Sequence, residues 1–287
     1  MSSQPSMFRT PEGQARYFAA YDETMKLWPI EVQSLDIPTS FGRTHIHACG
    51  SEDTPPLILI HGQAISSTMW YPNVGALSQY FRVYAPDILG DMGKSIQARP
   101  FKQPSDFGDW MCEVLDGLNI ERTHVAGLSY GGFIAAQTAL SHPERVNKLI
   151  LMAPASLLSI RPIFFLRMMG VLIPGLSFTT KQKLIMGTAP THAVSAIQQM
   201  FTTSDFQYSM YLPPTFKDDQ LRQIRAPTLL MMGDQEVIYN YKAAIARAKK
   251  FIPNIETTII PGAGHALNFD QPEIVNQHIL TFLQKEA

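Results

Sequence analysis

A chain of 287 residues with 45% hydrophobic and 16% charged side chains has enough apolar material for a large core in one or two domains. A formal net charge of −1, with no Lys/Arg run, excludes the basic stripe that phosphate binding needs, so no nucleic-acid partner is expected. Cys49 and Cys112 lie far apart without CxxC spacing, which argues against a disulfide framework or a structural zinc and for a reduced, cytoplasmic setting.

Met1 to Tyr17 is polar and lacks the apolar run of a secretory signal. The longest apolar stretch, Ile163 to Leu176, is interrupted by Arg167 and two glycines, with Pro174 near its end; it is too short and broken for a membrane span. Thr10 to Leu27 reads as a helix, with Pro11 and Glu12 in its first turn. Glu31 to Ile37 and Arg43 to Ala48 read as strands joined by a turn at Phe41-Gly42. Leu57 to Ile60, wholly apolar behind Pro55-Pro56, suits a strand buried on both faces.

Strands and helices then alternate. Arg82 to Ala85, Thr123 to Ala126 and Lys148 to Met152 read as strands, with helices at Phe107 to Leu118 and Gly131 to Leu140. From about residue 155 to 216 the pattern changes: Phe, Met, Leu and Ile abound, the charges are Arg161, Arg167, Lys181, Lys183 and Asp205, and no strand stands out. Alternation resumes with strands at Thr228 to Met232 and Glu256 to Ile260 and helices at Tyr241 to Lys249 and Pro272 to Leu283. The expected architecture is α/β, a mostly parallel central sheet flanked by helices. Residues 1–154 and 217–287 form the core and 155–216 a helical cap insertion.

Gly127-Leu128-Ser129-Tyr130-Gly131 fits G-x-S-x-G directly after an apolar strand and before an alanine-rich helix. That context places Ser129 on a strained turn over the sheet edge, at a helix N-terminus that favours developing negative charge. A serine hydroxyl needs a general base, and the base an orienting carboxylate. His265, in the glycine-rich Pro261-Gly-Ala-Gly-His265 loop after the last strand, is the candidate base. His45 and His47 share a strand face with metal-ligand spacing but lack an evident third ligand, so no metal is expected. Gly93-Lys94-Ser95 imitates a P-loop end, but the first glycine of that motif would fall at Ile88.

The chain resembles the α/β-hydrolase family over nearly its whole length, in the style of bacterial carboxylesterases. The resemblance rests on His61-Gly62, Asp87-x-x-Gly90-x-x-Gly93-x-Ser95, Gly127-x-Ser129-x-Gly131, Gly233-Asp234-Gln235-Glu236 and Gly264-His265. The Asp87 loop is one residue longer than the usual pattern, a difference expected to leave catalysis untouched. The resemblance implies an α/β-hydrolase fold and a triad ordered serine, acid, histidine. Its acid position falls on Glu236, where many members carry aspartate; Asp234 is the rival. It also implies oxyanion-hole N–H groups from Gln63 and Tyr130, and a structural role for His61.

The expected activity is cleavage of apolar or aromatic carboxylic esters through an acyl-enzyme on Ser129, with no metal or organic cofactor. Phe164, Met168, Met186, Met200 and Met210 are candidates to line the substrate pocket; the alternative is that they pack the cap onto the core. The partner is then a small-molecule ester, and the protein a monomer or homodimer. A serine nucleophile leaves lactonase, thioesterase, C–C bond hydrolase and perhydrolase chemistry open. It also leaves a ligand receptor with vestigial hydrolysis.

Overall fold

Runs of β-branched and leucine side chains become strands covered on both faces. The computed structural model describes residues 7–188, 205–207, 209 and 211–285. Among these, nine strands form one sheet: β1 (Gln33–Thr39), β2 (Gly42–Cys49), β3 (Pro56–Ile60), β4 (Arg82–Pro86), β5 (Ile96–Gln97), β6 (Thr123–Leu128), β7 (Val146–Met152), β8 (Thr228–Gly233) and β9 (Ile255–Ile260). Their order is β1-β2-β4-β3-β6-β7-β8-β9, with β5 beside β2. The pairs from β4 to β9 along this path are parallel, and β1, β2 and β5 add antiparallel pairs at one side. Leu57 to Ile60 in β3 and all of β8 are buried, the pattern of a sheet covered by helices on both sides.

The described helices are α1 (Pro11–Met25), α2 (Tyr71–Leu77), α3 (Ser105–Gly117), α4 (Tyr130–Ser141), α5 (Pro162–Val171), α6 (Phe178–Met186), α7 (Asp218–Arg222), α8 (Tyr241–Phe251), α9 (Leu267–Asp270) and α10 (Pro272–Gln284). Helix α4 is buried from Tyr130 to Ala139, because its small residues let it lie flat on β6 and β7 with α3 beside it. Helices α5 and α6 lie in the chain between β7 and β8, and α5 carries no buried residue. No helix among the described residues is long and apolar enough to cross a membrane.

The end of β1 differs from the sequence expectation for a physical reason. Strand β1 runs on to Thr39, because Pro38 sits opposite Arg43 on an edge strand, where a missing N–H costs no ladder bond. Helices α2 and α9 and the two-residue β5 had no periodic pattern to announce them.

Helix α1 starts where Thr10 Oγ1 accepts from Gly13 N at 3.0 Å, with Pro11 at the first helical position. It docks through buried Tyr21, whose hydroxyl donates to Asp87 Oδ2 at 2.9 Å and meets His47 Nε2 at 2.8 Å. Asp87 also accepts from Ser67 N, Ser67 Oγ and Lys94 N. Burial lowers the His47 pKa to about 4, so the ring stays neutral at ordinary pH. The two strand histidines thus have protein partners: His47 pairs with Tyr21 and Ser34, and His45 with Asp36. No group of three metal-ligating side chains occurs among the described residues.

Removing the Tyr21 hydroxyl leaves a buried carboxylate one donor short. Tyr21→Phe is expected to cost about 1–3 kcal/mol, a fall in Tm of roughly 3–8 °C. An unchanged calorimetric Tm would show that the Tyr21–Asp87 bond does not anchor α1.

Candidate active site

The site is assembled at the C-terminal ends of parallel strands, where such sheets present their loops. Ser129 lies between β6 and α4 with φ +52° and ψ −112°, an unusual backbone for a residue with a Cβ. Such a conformation costs on the order of 1–3 kcal/mol and persists only when its surroundings impose it. They do so here: Ser129 N donates to Met152 O at 2.8 Å, and Ser129 O accepts from Ala155 N at 2.9 Å and Phe133 N at 3.1 Å.

The two motif glycines are required by contact. A Cβ on Gly127 would lie 2.1 Å from Gly131 O, and one on Gly131 would lie 2.1 Å from Ile60 O. Strand, turn and helix therefore touch backbone to backbone, and the Ser129 side chain projects half-buried from the crest.

His265 Nε2 stands 2.8 Å from Ser129 Oγ. On the other side of the ring, His265 Nδ1 stands 2.7 Å from Glu236 Oε2. The imidazole and the carboxylate are buried, and Glu236 Oε1 also accepts from Ile238 N at 2.7 Å and Tyr239 N at 3.4 Å. Burial alone would raise the Glu236 pKa. The His265 charge, the His265 hydrogen bond and the two backbone donors outweigh it and hold the carboxyl below its ordinary value. An ionised Glu236 keeps the proton on Nδ1, which leaves Nε2 free to accept from Ser129 Oγ.

Asp234, the rival acid, is exposed and accepts from Gly262 N at 2.9 Å. It shapes the turn after β8, while Glu236 reaches the imidazole. The extra methylene of glutamate is accommodated by a carboxylate that folds back onto Ile238 and Tyr239 of its own loop.

The loop after β3 abuts the serine: a Cβ built on Gly62 would stand 3.8 Å from Ser129 Cβ. His61 holds this loop, accepting from Ile88 N at Nε2 (2.9 Å) while Nδ1 meets Gly62 O at 2.7 Å. Burial lowers the His61 pKa, consistent with a neutral ring that accepts at Nε2 and donates at Nδ1. Gln63 follows on this loop, exposed. Tyr130 opens α4, and its phenol donates to Tyr211 O at 2.9 Å.

The β7–β8 insertion reaches the triad through its main chain. His265 N donates to Met186 O at 2.7 Å, and a Cβ on Gly264 would strike that same oxygen at 2.1 Å. Asp270 Oδ2 bridges Gly264 N (2.8 Å) and Thr188 Oγ1 (2.6 Å). Asp270 ends α9 and holds the histidine loop, a role with no local sequence signal. Of the other pocket candidates, Phe164 is half-buried and Met168 is 41% exposed on α5. Met200 and Met210 lie outside the described residues.

Because Glu236 is depressed in the folded chain, its charged form contributes stability above the unfolded value of about 4.3, and that contribution is lost as pH falls through the folded value. Between pH 6 and 3 the Tm of the wild type is therefore expected to fall more steeply than that of Glu236→Gln. Parallel Tm curves would contradict the Glu236–His265 pairing.

Comparison with known proteins identifies the family. Residues 57–278 match the alpha/beta hydrolase family model. Over 290 residues the chain is 39% identical to carboxylesterase YbfK of Bacillus subtilis (strain 168), with 98% of each chain covered. It is 37% identical over 280 residues to the uncharacterized carboxylesterase nap of the same organism, covering 95% of this chain and 93% of that one. The crystal structure of carboxylesterase CesB (YbfK) superposes with a TM-score of 0.87 at 36% identity, covering 96% of this chain and all of that one. That of naproxen esterase (carboxylesterase NP) from Bacillus subtilis also gives 0.87, at 35% identity and the same coverage. With a family match over most of its length and relatives above a third identical along nearly all of it, the chain belongs to the alpha/beta hydrolase family.

Proposed function

We propose that the protein is a serine carboxylesterase that hydrolyses small apolar or aromatic esters through an acyl-enzyme on Ser129. The observation that carries the proposal is the continuous chain from Ser129 Oγ through His265 to Glu236, with links of 2.8 and 2.7 Å. The carboxylesterase names of the two near-full-length relatives support the ester as substrate class. The likeness to naproxen esterase supports an aromatic one.

In the first half-reaction Ser129 Oγ attacks the ester carbonyl and its proton passes to His265 Nε2. The imidazolium is stabilised by the ionised Glu236 on Nδ1. Negative charge develops on the carbonyl oxygen, which the backbone N–H groups of Gln63 and Tyr130 receive. One such donor is worth about 3–4 kcal/mol of barrier. The C–O bond to the alcohol then breaks, the alcohol leaving with the proton from His265. In the second half, His265 takes a proton from water, water oxygen attacks the acyl carbonyl, and Ser129 departs reprotonated.

Residues 155–216 act as a cap over this centre. Phe164, Met168 and Met186 supply apolar surface for the acyl or alcohol group, and soft Met side chains suit varied shapes. Two free thiols, with Cys49 pushed up to about 12 by burial, fit a reduced cytoplasmic setting.

A p-nitrophenyl ester series from acetate to decanoate tests this reading. The wild type is expected to turn over several times per second, and Ser129→Ala to lose at least about a thousandfold in kcat/KM. The chain-length optimum sizes the pocket. Equal rates for the two proteins would refute the assignment of Ser129. A wild type that releases a single equivalent of nitrophenol and then stops would favour a ligand receptor.

A further inference from the structure

The loop after β4, Asp87-Ile88-Leu89-Gly90-Asp91-Met92-Gly93-Lys94-Ser95, is the one whose extra residue was expected to leave catalysis untouched. In the structure this loop delivers a second buried carboxylate to the active-site side of the sheet. Asp91 is 2% exposed. Its two oxygens share the Ala64 N–H at 3.1 and 3.0 Å, and Oδ1 also accepts from Met92 N at 2.7 Å.

Ala64 directly follows Gln63 and sits at φ +59°, a left-handed conformation that a residue with a Cβ holds only under constraint. The constraint is visible. His61 ties one end of the segment to Ile88, and Asp91 ties the other end through Ala64. Gly90 O accepts from Ser209 N at 3.0 Å, so the Asp91 loop is itself held from the far side. The Gln63 N–H lies in the 62–63 peptide plane with Gly62 O, which His61 Nδ1 meets, and the Ala64 N–H lies in the 63–64 plane; the two planes share Cα of residue 63, so holding both restricts where the Gln63 N–H points.

We propose that Asp91 is a positioning residue of the oxyanion hole: its carboxylate grips the Ala64 N–H and so aims the neighbouring Gln63 N–H at the developing oxyanion. The proposal rests on Gln63 being an oxyanion donor. The chemistry of the grip depends on charge, because an ionised carboxylate accepts more strongly than a neutral carboxyl. Burial pushes the Asp91 pKa up to about 7, against the Met92 and Ala64 N–H groups, which lower it, and with Asp87, which raises it further. Among the described residues, the titratable groups that face Asp91 are Asp87 on its own loop and Tyr130 at the head of α4. As pH falls through about 7, Asp91 takes up a proton, the grip weakens and turnover declines.

The test compares wild type, Asp91→Asn and Asp91→Ala on p-nitrophenyl butyrate from pH 5.5 to 9. A trifluoromethyl ketone of matching acyl length serves as a mimic of the tetrahedral oxyanion, and a melting curve is taken for each protein. Asp91→Asn is expected to lower kcat by roughly 10- to 100-fold while KM moves by less than about threefold. Ketone affinity should fall by the same factor as kcat, and the component of the acid limb near pH 7 should disappear. Asparagine keeps one acceptor oxygen, so it should retain more activity than alanine. Wild-type kcat in Asp91→Asn would overturn the proposal, as would a lowered Tm with unchanged ketone affinity. Gln63→Pro, which deletes the proposed donor itself, separates the two readings. An impaired Gln63→Pro beside an unimpaired Asp91→Asn sinks the positioning role alone. Full activity and ketone binding in both would sink the oxyanion assignment of Gln63 and the Asp91 proposal with it.

Discussion

The backbone contact between β6, α4 and the end of β3 is the constraint on which the site depends. Gly127 and Gly131 meet so closely that no side chain fits at either position, and Gly131 also rests on Ile60 O. This contact forces Ser129 into its left-handed conformation and lifts the hydroxyl off the sheet. It also brings the loop after β3 within van der Waals reach of the serine. One pair of glycines therefore sets both the exposure of the serine and its proximity to the segment read as an oxyanion loop. The strain is offset by three main-chain hydrogen bonds at Ser129, which lock the turn into the sheet.

Around this crest the parallel topology does the gathering. Strands β3, β6, β8 and β9 each end at the same edge, and each is followed by a loop that brings one part of the site. The burial differs by role. Glu236 and His265 are nearly closed to solvent, where a low dielectric strengthens their pairing, while Ser129 remains half-open to a substrate. The insertion between β7 and β8 touches this machinery through Met186 O and Thr188 rather than through apolar side chains alone. Its position and the position of the His265 loop are therefore mechanically linked.

The sequence made the chemistry legible where one residue type is sterically or chemically obligatory. The G-x-S-x-G turn, the glycine-rich loop before His265 and the apolar runs of β3 and β8 are of that kind, and the structure places them as read. The choice between Glu236 and Asp234 stayed open because both follow the same strand end; the fold separates them by turning Glu236 onto His265 Nδ1 and Asp234 outward onto Gly262 N. Asp91 and Asp270 were not legible as parts of the site, since each acts on a backbone N–H in another segment and no local pattern marks such a contact. The same holds for Met186, singled out for its side chain but joined to His265 through its carbonyl. Short elements such as α2 and β5 are fixed by tertiary packing, not by periodicity.

The account stands or falls on a covalent bond to one oxygen. The direct measurement is mass spectrometry of the protein quenched in acid within milliseconds of mixing with an excess of p-nitrophenyl butyrate. The predicted result is a mass increase of one butyryl group, carried by the peptide that contains Ser129 and absent after turnover is complete. A burst of nitrophenol with no adduct, or an adduct on any other side chain, would contradict it.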